Sequence, residues 1–259
     1  MSLSSRQKEI LAYLQRTHGV LSSSLLSERF SVSVQTIRKD MNELSDKGIV
    51  KRVHGGIMLP SANDNLSFTN RELLNHAAKQ AIARHVVSEL SEGTSLFLGI
   101  GTTPKHLAHA LLDHPGLTVV TNNINAALTL SRNPNLSIHL AGGAVRSSDE
   151  DTVGEATTEF YRRFNIKIGV FGVGGLNEKG QLLDFTPEES CLTRAIIAQS
   201  QQCWVMADHT KLGRYAPVVS GRLSEIDRLF VDQTSAQIQH LCHTHDTQLV
   251  VASRSENEL

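Results

Sequence analysis

Apolar side chains recur at helical spacing along the first sixty residues. Ile10, Leu11 and Leu14 share one face of a helix that Ser4 or Ser5 caps and Gly19 ends. A short second helix follows Ser22, with Leu25, Leu26 and Phe30 pointing inward. After the turn Ser31-Val32, Ser33 caps a third helix to about Lys47, whose positions Val34, Ile37, Met41 and Leu44 fall three and four apart in one buried stripe. Gly48 ends it, residues 49–53 alternate apolar with basic, and His54-Gly55-Gly56 turns the chain into Ile57-Met58-Leu59. Helix, short helix, turn, helix and hairpin is the layout of a winged helix-turn-helix.

The pattern then changes. Pro60-Ser61-Ala62-Asn63-Asp64-Asn65 is short, polar and turn-forming, and reads as a boundary. From Leu74 a helical pattern resumes, with Ala78, Ile82, Val86 and Leu90 four apart. Seven short apolar runs follow, at 95–98, 117–121, 136–141, 168–173, 203–207, 228–231 and 248–252. Helical segments near 104–112, 123–132, 154–164, 188–200 and 234–242 lie between most of them. This alternation predicts an α/β body with a largely parallel sheet covered on both faces. The expected organisation is a winged head at 1–59, a linker at 60–75 and an α/β domain at 76–259.

Charge sharpens the division. The chain carries 25 Lys plus Arg against 26 Asp plus Glu, a net of −1 that argues against a basic nucleic-acid binder. Within residues 1–60, however, nine basic side chains face five acidic ones, or +4, which leaves 16 against 21, or −5, for the remainder. A basic module on an acidic body is the asymmetry of a nucleic-acid-binding head on a separate domain. No apolar run reaches the roughly 18 residues that span a bilayer, and Met1–Arg6 is polar rather than a leader. Three cysteines, Cys191, Cys203 and Cys242, form no C-x-x-C pair, so the expected setting is a reducing, cytoplasmic one.

The chemistry of the head lies on the outward face of the third helix. Ser33, Gln35, Thr36, Arg38 and Lys39 sit near its amino end, the end that such a motif inserts into the major groove. Gln and Arg make bidentate contacts to base edges, while Ser, Thr and Lys reach phosphates or bases. Lys51, Arg52 and His54 would lay the wing over the DNA backbone. The segments Val32-Ser33-Val34-Gln35-Thr36-Ile37-Arg38-Lys39-Asp40 and Lys51-Arg52-Val53-His54-Gly55-Gly56 resemble the DNA-binding signature of the DeoR family of bacterial sugar-metabolism regulators.

In the body, ligands of a parallel sheet bind at the carboxyl ends of strands. Gly99-Ile100-Gly101-Thr102-Thr103-Pro104 follows the first strand, with Thr103 positioned as a cap and Pro104 in the first helical turn. Free backbone N–H groups, two hydroxyls and a positive helix end suit a phosphate, although a ligand-free capped turn reads equally well. Thr121-Asn122-Asn123, Gly142-Gly143, Gly172-Val173-Gly174-Gly175 and Asp208-His209-Thr210-Lys211 end other strands. The order of these loops is similar to the DeoR family's effector domain, which the resemblance assigns to the ribose-5-phosphate isomerase fold. The resemblance implies that Gly101, Thr102 and Thr103 hold the effector phosphate and that Asn122, Gly143, Glu189, Asp208 and Lys211 line the remaining pocket. Two positions depart from the family's pattern: Gly99 where an Asp is frequent, and Thr193 where a Lys is common.

The function expected is therefore a transcription regulator, most simply a repressor, of a carbohydrate or sugar-phosphate operon. Its partners would be double-stranded operator DNA, a small phosphorylated sugar and a second copy of the chain, since paired half-sites require at least a dimer. The rival is an enzyme of the sugar-phosphate isomerase type. Against it, Gly172–Asn177 carries no carboxylate, while Asp184, Glu188, Glu189, Asp208 and Lys211 remain available. No cofactor is expected: Gly99-x-Gly101 lacks the third glycine of a dinucleotide fingerprint, and no triphosphate loop is present. His106 with His109, and His240, His243 and His245 with Cys242, lack partners at a recognised metal spacing, so no metal is expected.

Overall fold

The computed structural model describes residues 3–17, 19–60 and 68–252. They form two compact units, divided between Asn75 and His76. The first is built on α1 (Ser5–Thr17), β1 (Leu21–Ser22), α2 (Ser23–Phe30), α3 (Val34–Asp46), β2 (Lys51–Val53), β3 (Gly56–Met58) and α4 (Phe68–Leu73). Ile10, Leu14, Leu26, Ile37, Met41, Leu44 and Ile57 are wholly inaccessible and make one core. Each such side chain contributes about 1.5–3 kcal/mol on burial. The three strands form an antiparallel sheet in the order β1-β3-β2, in which Leu21 faces Ile57 and Arg52 faces Ile57 from the other side.

Two inward assignments fail in this unit. Leu25 is 41% exposed and Val34 36% exposed. The buried face of the short α2 narrows to Leu26, and Val34 is the first residue of α3, where the helix projects past the core. The stretch 60–75 is also more than a linker. It contains α4, Leu73 and Leu74 pack against the head's core, and Asn70 Nδ2 donates to Lys47 O at 2.8 Å. The polar segment Ser61–Asn65 lies outside the described residues.

The second unit begins with α5 (His76–Ser88) and continues through β4 (Thr94–Leu98), α6 (Thr102–Ala110), β5 (Leu117–Thr121), α7 (Ile124–Leu130) and β6 (Leu136–Leu140). A hairpin of β7 (Ala144–Arg146) and β8 (Asp151–Val153) leads to α8 (Glu155–Arg162) and β9 (Ile166–Gly172). Then come β10 (Gly175–Leu176), β11 (Gln181–Asp184), α9 (Pro187–Gln199), β12 (Ser200–Ala207) and β13 (Val218–Arg222). The chain finishes with β14 (Arg228–Val231), α10 (Ala236–Thr244) and β15 (Gln248–Val251). All seven apolar runs read from the sequence are strands of one parallel sheet, in the order β15-β14-β12-β9-β4-β5-β6.

Alternation along the central strands explains the two covered faces. Leu96, Leu98, Val170, Trp204, Met206 and Phe230 join α5, α6 and α7 on one side. Phe97, Phe171, Val205, Leu229 and Val231 join α8, α9 and α10 on the other. A second, antiparallel sheet of β10, β11 and β13 was not visible in the apolar pattern.

The strand order also locates the crevice. From β4 the chain builds toward β5 and β6, and from β9 it builds the opposite way toward β12, β14 and β15. The reversal lies between neighbours β4 and β9, and such switch points open a crevice at the carboxyl ends of the strands.

Candidate functional site

The outward face of α3 is polar and largely unspent. Ser33 caps the helix by accepting from Thr36 N at 3.2 Å, and the two hydroxyls lie 2.8 Å apart. Ser33 and Thr36 are thus engaged in shaping the first turn. Gln35, Arg38 and Lys39 are exposed, and no hydrogen bond or ion pair engages them among the described residues. Two of the helix's three acids are answered elsewhere: Asp40 accepts from Arg6 Nε at 2.5 Å, and Gln7 Nε2 donates to Glu43 Oε2 at 2.6 Å. That leaves the field of Arg38 and Lys39 less offset by neighbouring carboxylates. Beside them, a solvent-open depression of about 620 Å³ runs between the first turn of α1 and α3, with Gln35, Thr36 and Lys39 on its wall.

The turn into α3 is held by Ser31, whose φ of +50° is left-handed, and by Ser27 Oγ donating to Val32 O at 2.6 Å. On the wing, Lys51, Arg52 and His54 are exposed, and Gly55 at φ +74° turns the strands. A left-handed residue at that point is what a glycine supplies without strain.

In the body, the loop after β4 lies at the switch point. Gly101, at φ +117°, is the N-cap of α6, and no side chain caps that end. The helix therefore starts two residues earlier than expected, and Thr103 is not its cap. Its first-turn N–H groups have no intrahelical acceptors and carry the positive end of the helix dipole. Thr102 and Thr103 are buried, at 6% and 5% exposure. The walls are tight: a Cβ on Gly99 would stand 2.7 Å from Phe171 Cβ, and one on Gly172 would meet Pro104 Cδ at 3.4 Å. Any side chain at position 99 would require the backbone around Phe171 to shift.

The other expected pocket residues make contacts within the fold. Asn122 Nδ2 donates to Thr152 O at 2.7 Å, and its Oδ1 accepts from the buried Tyr161 hydroxyl at 2.8 Å. Glu189 closes a capping box with Thr186, accepts from Phe185 N at 3.0 Å and takes Arg146 Nη1 at 2.8 Å. Gly143 permits a close approach, because a Cβ there would fall 2.1 Å from Thr157 Oγ1. Asp208 is 1% exposed and accepts from Thr210 N at 3.0 Å. Burial alone would raise its pKa, but the charges of Lys79 and Lys211 and the Thr210 hydrogen bonds outweigh that and hold it below the usual carboxylate range.

Lys79 and Arg146 carry no signal in the sequence, and Asn123, Asp184 and Thr193 have contacts that the sequence does not show. Asn123 Oδ1 caps α7 through Ala126 N at 3.0 Å, while its Nδ2 is buried without an acceptor among the described residues. The unspent amide of the Thr121-Asn122-Asn123 segment is thus that of Asn123. Lys79 on α5 is only 2% exposed. Arg146 grips Asp151 through two nitrogens, at 3.0 and 2.6 Å, and joins the β7–β8 hairpin to α9 through Glu189. Burial works against its charge, and those two carboxylates more than offset it, so the guanidinium holds its proton more firmly than usual. Thr193 Oγ1 donates to Asp184 Oδ2 at 3.0 Å, and burial, with help from Glu189, pushes the Asp184 carboxyl up to about 6.

Cys191 is exposed, Cys203 and Cys242 are buried, and all three are free thiols. Among the described residues no cluster of three His, Cys, Asp or Glu side chains is arranged to hold a metal, and no helix is long and apolar enough to cross a membrane.

Comparison with known proteins agrees with this layout. Residues 6–63 match the DeoR-like helix-turn-helix domain, and residues 74–233 match the DeoR C terminal sensor domain. A glycerol-3-phosphate regulon repressor of Escherichia coli is 42% identical over 219 residues, covering 85% of this chain and 87% of that protein. One from Haemophilus influenzae is 37% identical over 253 residues, covering 98% of both. Among solved structures, ribose 5-phosphate isomerase A of Methanocaldococcus jannaschii has a TM-score of 0.39 at 14% identity, over 53% of this chain and 55% of that one.

Proposed function

The chain belongs to the DeoR family of transcription regulators, and on that premise we propose that its head reads operator DNA while its body reports a phosphorylated sugar to that head. The observation that carries this reading is the unengaged Gln35, Arg38 and Lys39 face of α3, set on a capped helix whose opposite stripe is wholly buried. Arg38 and Gln35 read base edges, Lys39 and the wing residues Lys51, Arg52 and His54 neutralise phosphates, and Ser33 and Thr36 set the helix start.

In the body, the amino end of α6 receives the effector's phosphate, with Gly101, Thr102 and Thr103 as its floor. Asn122, Gly143 and Glu189 hold the surrounding loops in place, and Asp208 with Lys211 and Lys79 forms the charged wall. Asn123 supplies an amide donor. The effector is a small anionic sugar derivative, and glycerol 3-phosphate is the first probe to try because the relatives carry that name.

This reading makes the protein a sensor, not an isomerase. Asp184, Glu189 and Asp208 are each engaged by backbone N–H, hydroxyl or guanidinium donors, which leaves them poorly placed to move a substrate proton. It also makes the working form at least a dimer, acting in the cytoplasm where operator DNA is found.

A thermal-shift screen of sugar phosphates on the full chain tests the body, since a ligand that binds only the folded state raises its melting temperature. At least one phosphate should stabilise the native protein, and Thr102→Val with Thr103→Val should abolish the shift. A shift that survives both substitutions would place the ligand elsewhere.

A further inference from the structure

One buried polar group on α6 has no partner to explain it. His106 is 8% exposed, and its Nε2 makes no hydrogen bond among the described residues. An unpaired buried nitrogen lowers stability and calls for a reason beyond packing. Helix geometry indicates where the ring goes. His106 lies four residues after Thr102 and three after Thr103, on one face of a nine-residue helix. Helical side chains lean toward the amino end, so the imidazole covers the turn that holds the two threonines.

Beside burial, the charges of His76, Lys79, His109 and Lys105 all work against a proton on this ring and push its pKa down to about 3. The imidazole is therefore neutral at physiological pH, with a single N–H to give. The His76 ring packs edge-on against His106, with centroids 4.7 Å apart and planes at 87°.

We propose that His106 is a ligand-contacting residue of the anion site at the amino end of α6, its Nε2–H donating to the bound phosphate group. This rests on the reading of that helix end as the effector's phosphate site. The site would then take its donors from two sources, the backbone N–H groups of the first turn and a side chain one turn later. The pairing resembles a two-sided clamp, which orients a phosphate more firmly than a helix end alone.

The test uses the full chain labelled with ¹⁵N-histidine and titrated with inorganic phosphate. The expected result is a saturable shift of the His106 ring nitrogens, with binding weakened about 10- to 100-fold in His106→Ala, the worth of one hydrogen bond to a charged group. His106→Gln, whose amide reaches the same position, should retain affinity within a few-fold. Without ligand His106→Gln should melt close to the native protein, whereas His106→Ala empties a buried site packed against His76 and should melt lower, so its affinity is read at a temperature where it is fully folded. If phosphate binds and depends on Thr102 and Thr103, yet leaves the His106 resonances and the His106→Ala affinity unchanged, His106 is no contact and the helix-end site stands. If phosphate fails to bind the native chain, the site reading falls and takes His106 with it. If His76→Ala moves Nε2 and phosphate does not, the nitrogen is answered by the face of the His76 ring and the proposal is wrong.

Discussion

At the scale of single residues, function divides from framework by which hydrogen-bonding capacity is already used. Arg38 is exposed and unengaged, so its loss disturbs no packing. Arg38→Ala should weaken specific operator binding by about 1–3 kcal/mol and leave the melting temperature unchanged. An electrophoretic or anisotropy titration that finds native affinity would remove α3 as the reading helix.

Asp184 shows the opposite case. Its carboxyl is pushed up to about 6 by burial first and Glu189 second. Between the unfolded value near 4 and that folded value, the native state binds more protons than the unfolded one. Stability from this group is therefore present at acid pH and is lost as pH rises toward 6. Asp184→Asn keeps an acceptor for Gly174 N and removes the buried charge. At pH 8 it should be more stable than the native chain by on the order of 1–3 kcal/mol, and near pH 4 the difference should vanish. Urea denaturation at the two pH values decides it, and a variant weaker at pH 8 would mean that the charge is used.

At the scale of elements, caps and connections decide where side chains point. Ser33 holds the start of α3, and Ser33→Ala should cost about 1 kcal/mol of stability. It should also loosen operator binding beyond any direct contact, because the first turn presents Gln35 and Arg38. Comparing Ser33→Ala with Ser33→Thr, which restores the cap without adding charge, separates the two effects: recovered stability and affinity would mark Ser33 as a cap or hydroxyl contact, and affinity that Ser33→Ala leaves unchanged would show that the cap does not matter for DNA.

Arg146 works between elements, since it binds Asp151 on the hairpin and Glu189 on α9. Arg146→Met leaves two carboxylates buried without their cation, a loss of about 3–5 kcal/mol. A melting temperature equal to the native one would show that the hairpin does not depend on this bridge.

Elements also show what was legible before any coordinates. The seven parallel strands were visible because strands buried on both faces are short, dense apolar runs. The second sheet was not. β10 has two residues, β11 holds two leucines between Gln181 and Asp184, and β13 contains Gly221 and two exposed positions, so none of them makes a clear run. The loops of the anion site were legible as Gly-rich strand ends. Which of their residues are spent was not, because the partners are remote in sequence: Tyr161 lies 39 positions from Asn122, and Arg146 lies 43 from Glu189. In the sequence His106 is only half of a histidine pair, since burial without a partner is a tertiary property.

At the scale of the whole molecule, a near-neutral chain resolves into a basic reader and an acidic sensor. A head with a surplus of only four positive charges gains useful affinity from a second copy on the same duplex. The account then makes a thermodynamic demand. An effector that favours the arrangement poor at binding DNA must weaken operator binding by the factor by which DNA weakens the effector. The direct measurement is anisotropy of the full chain on a labelled duplex from its own upstream region. It is made with and without each sugar phosphate that raises the melting temperature. The account predicts a higher Kd for DNA with phosphate, matched by an equal loss of phosphate affinity on DNA, and no response in the Thr102→Val, Thr103→Val variant. A stabilising phosphate that leaves operator affinity unchanged, or a variant that responds as fully as the native chain, would contradict it.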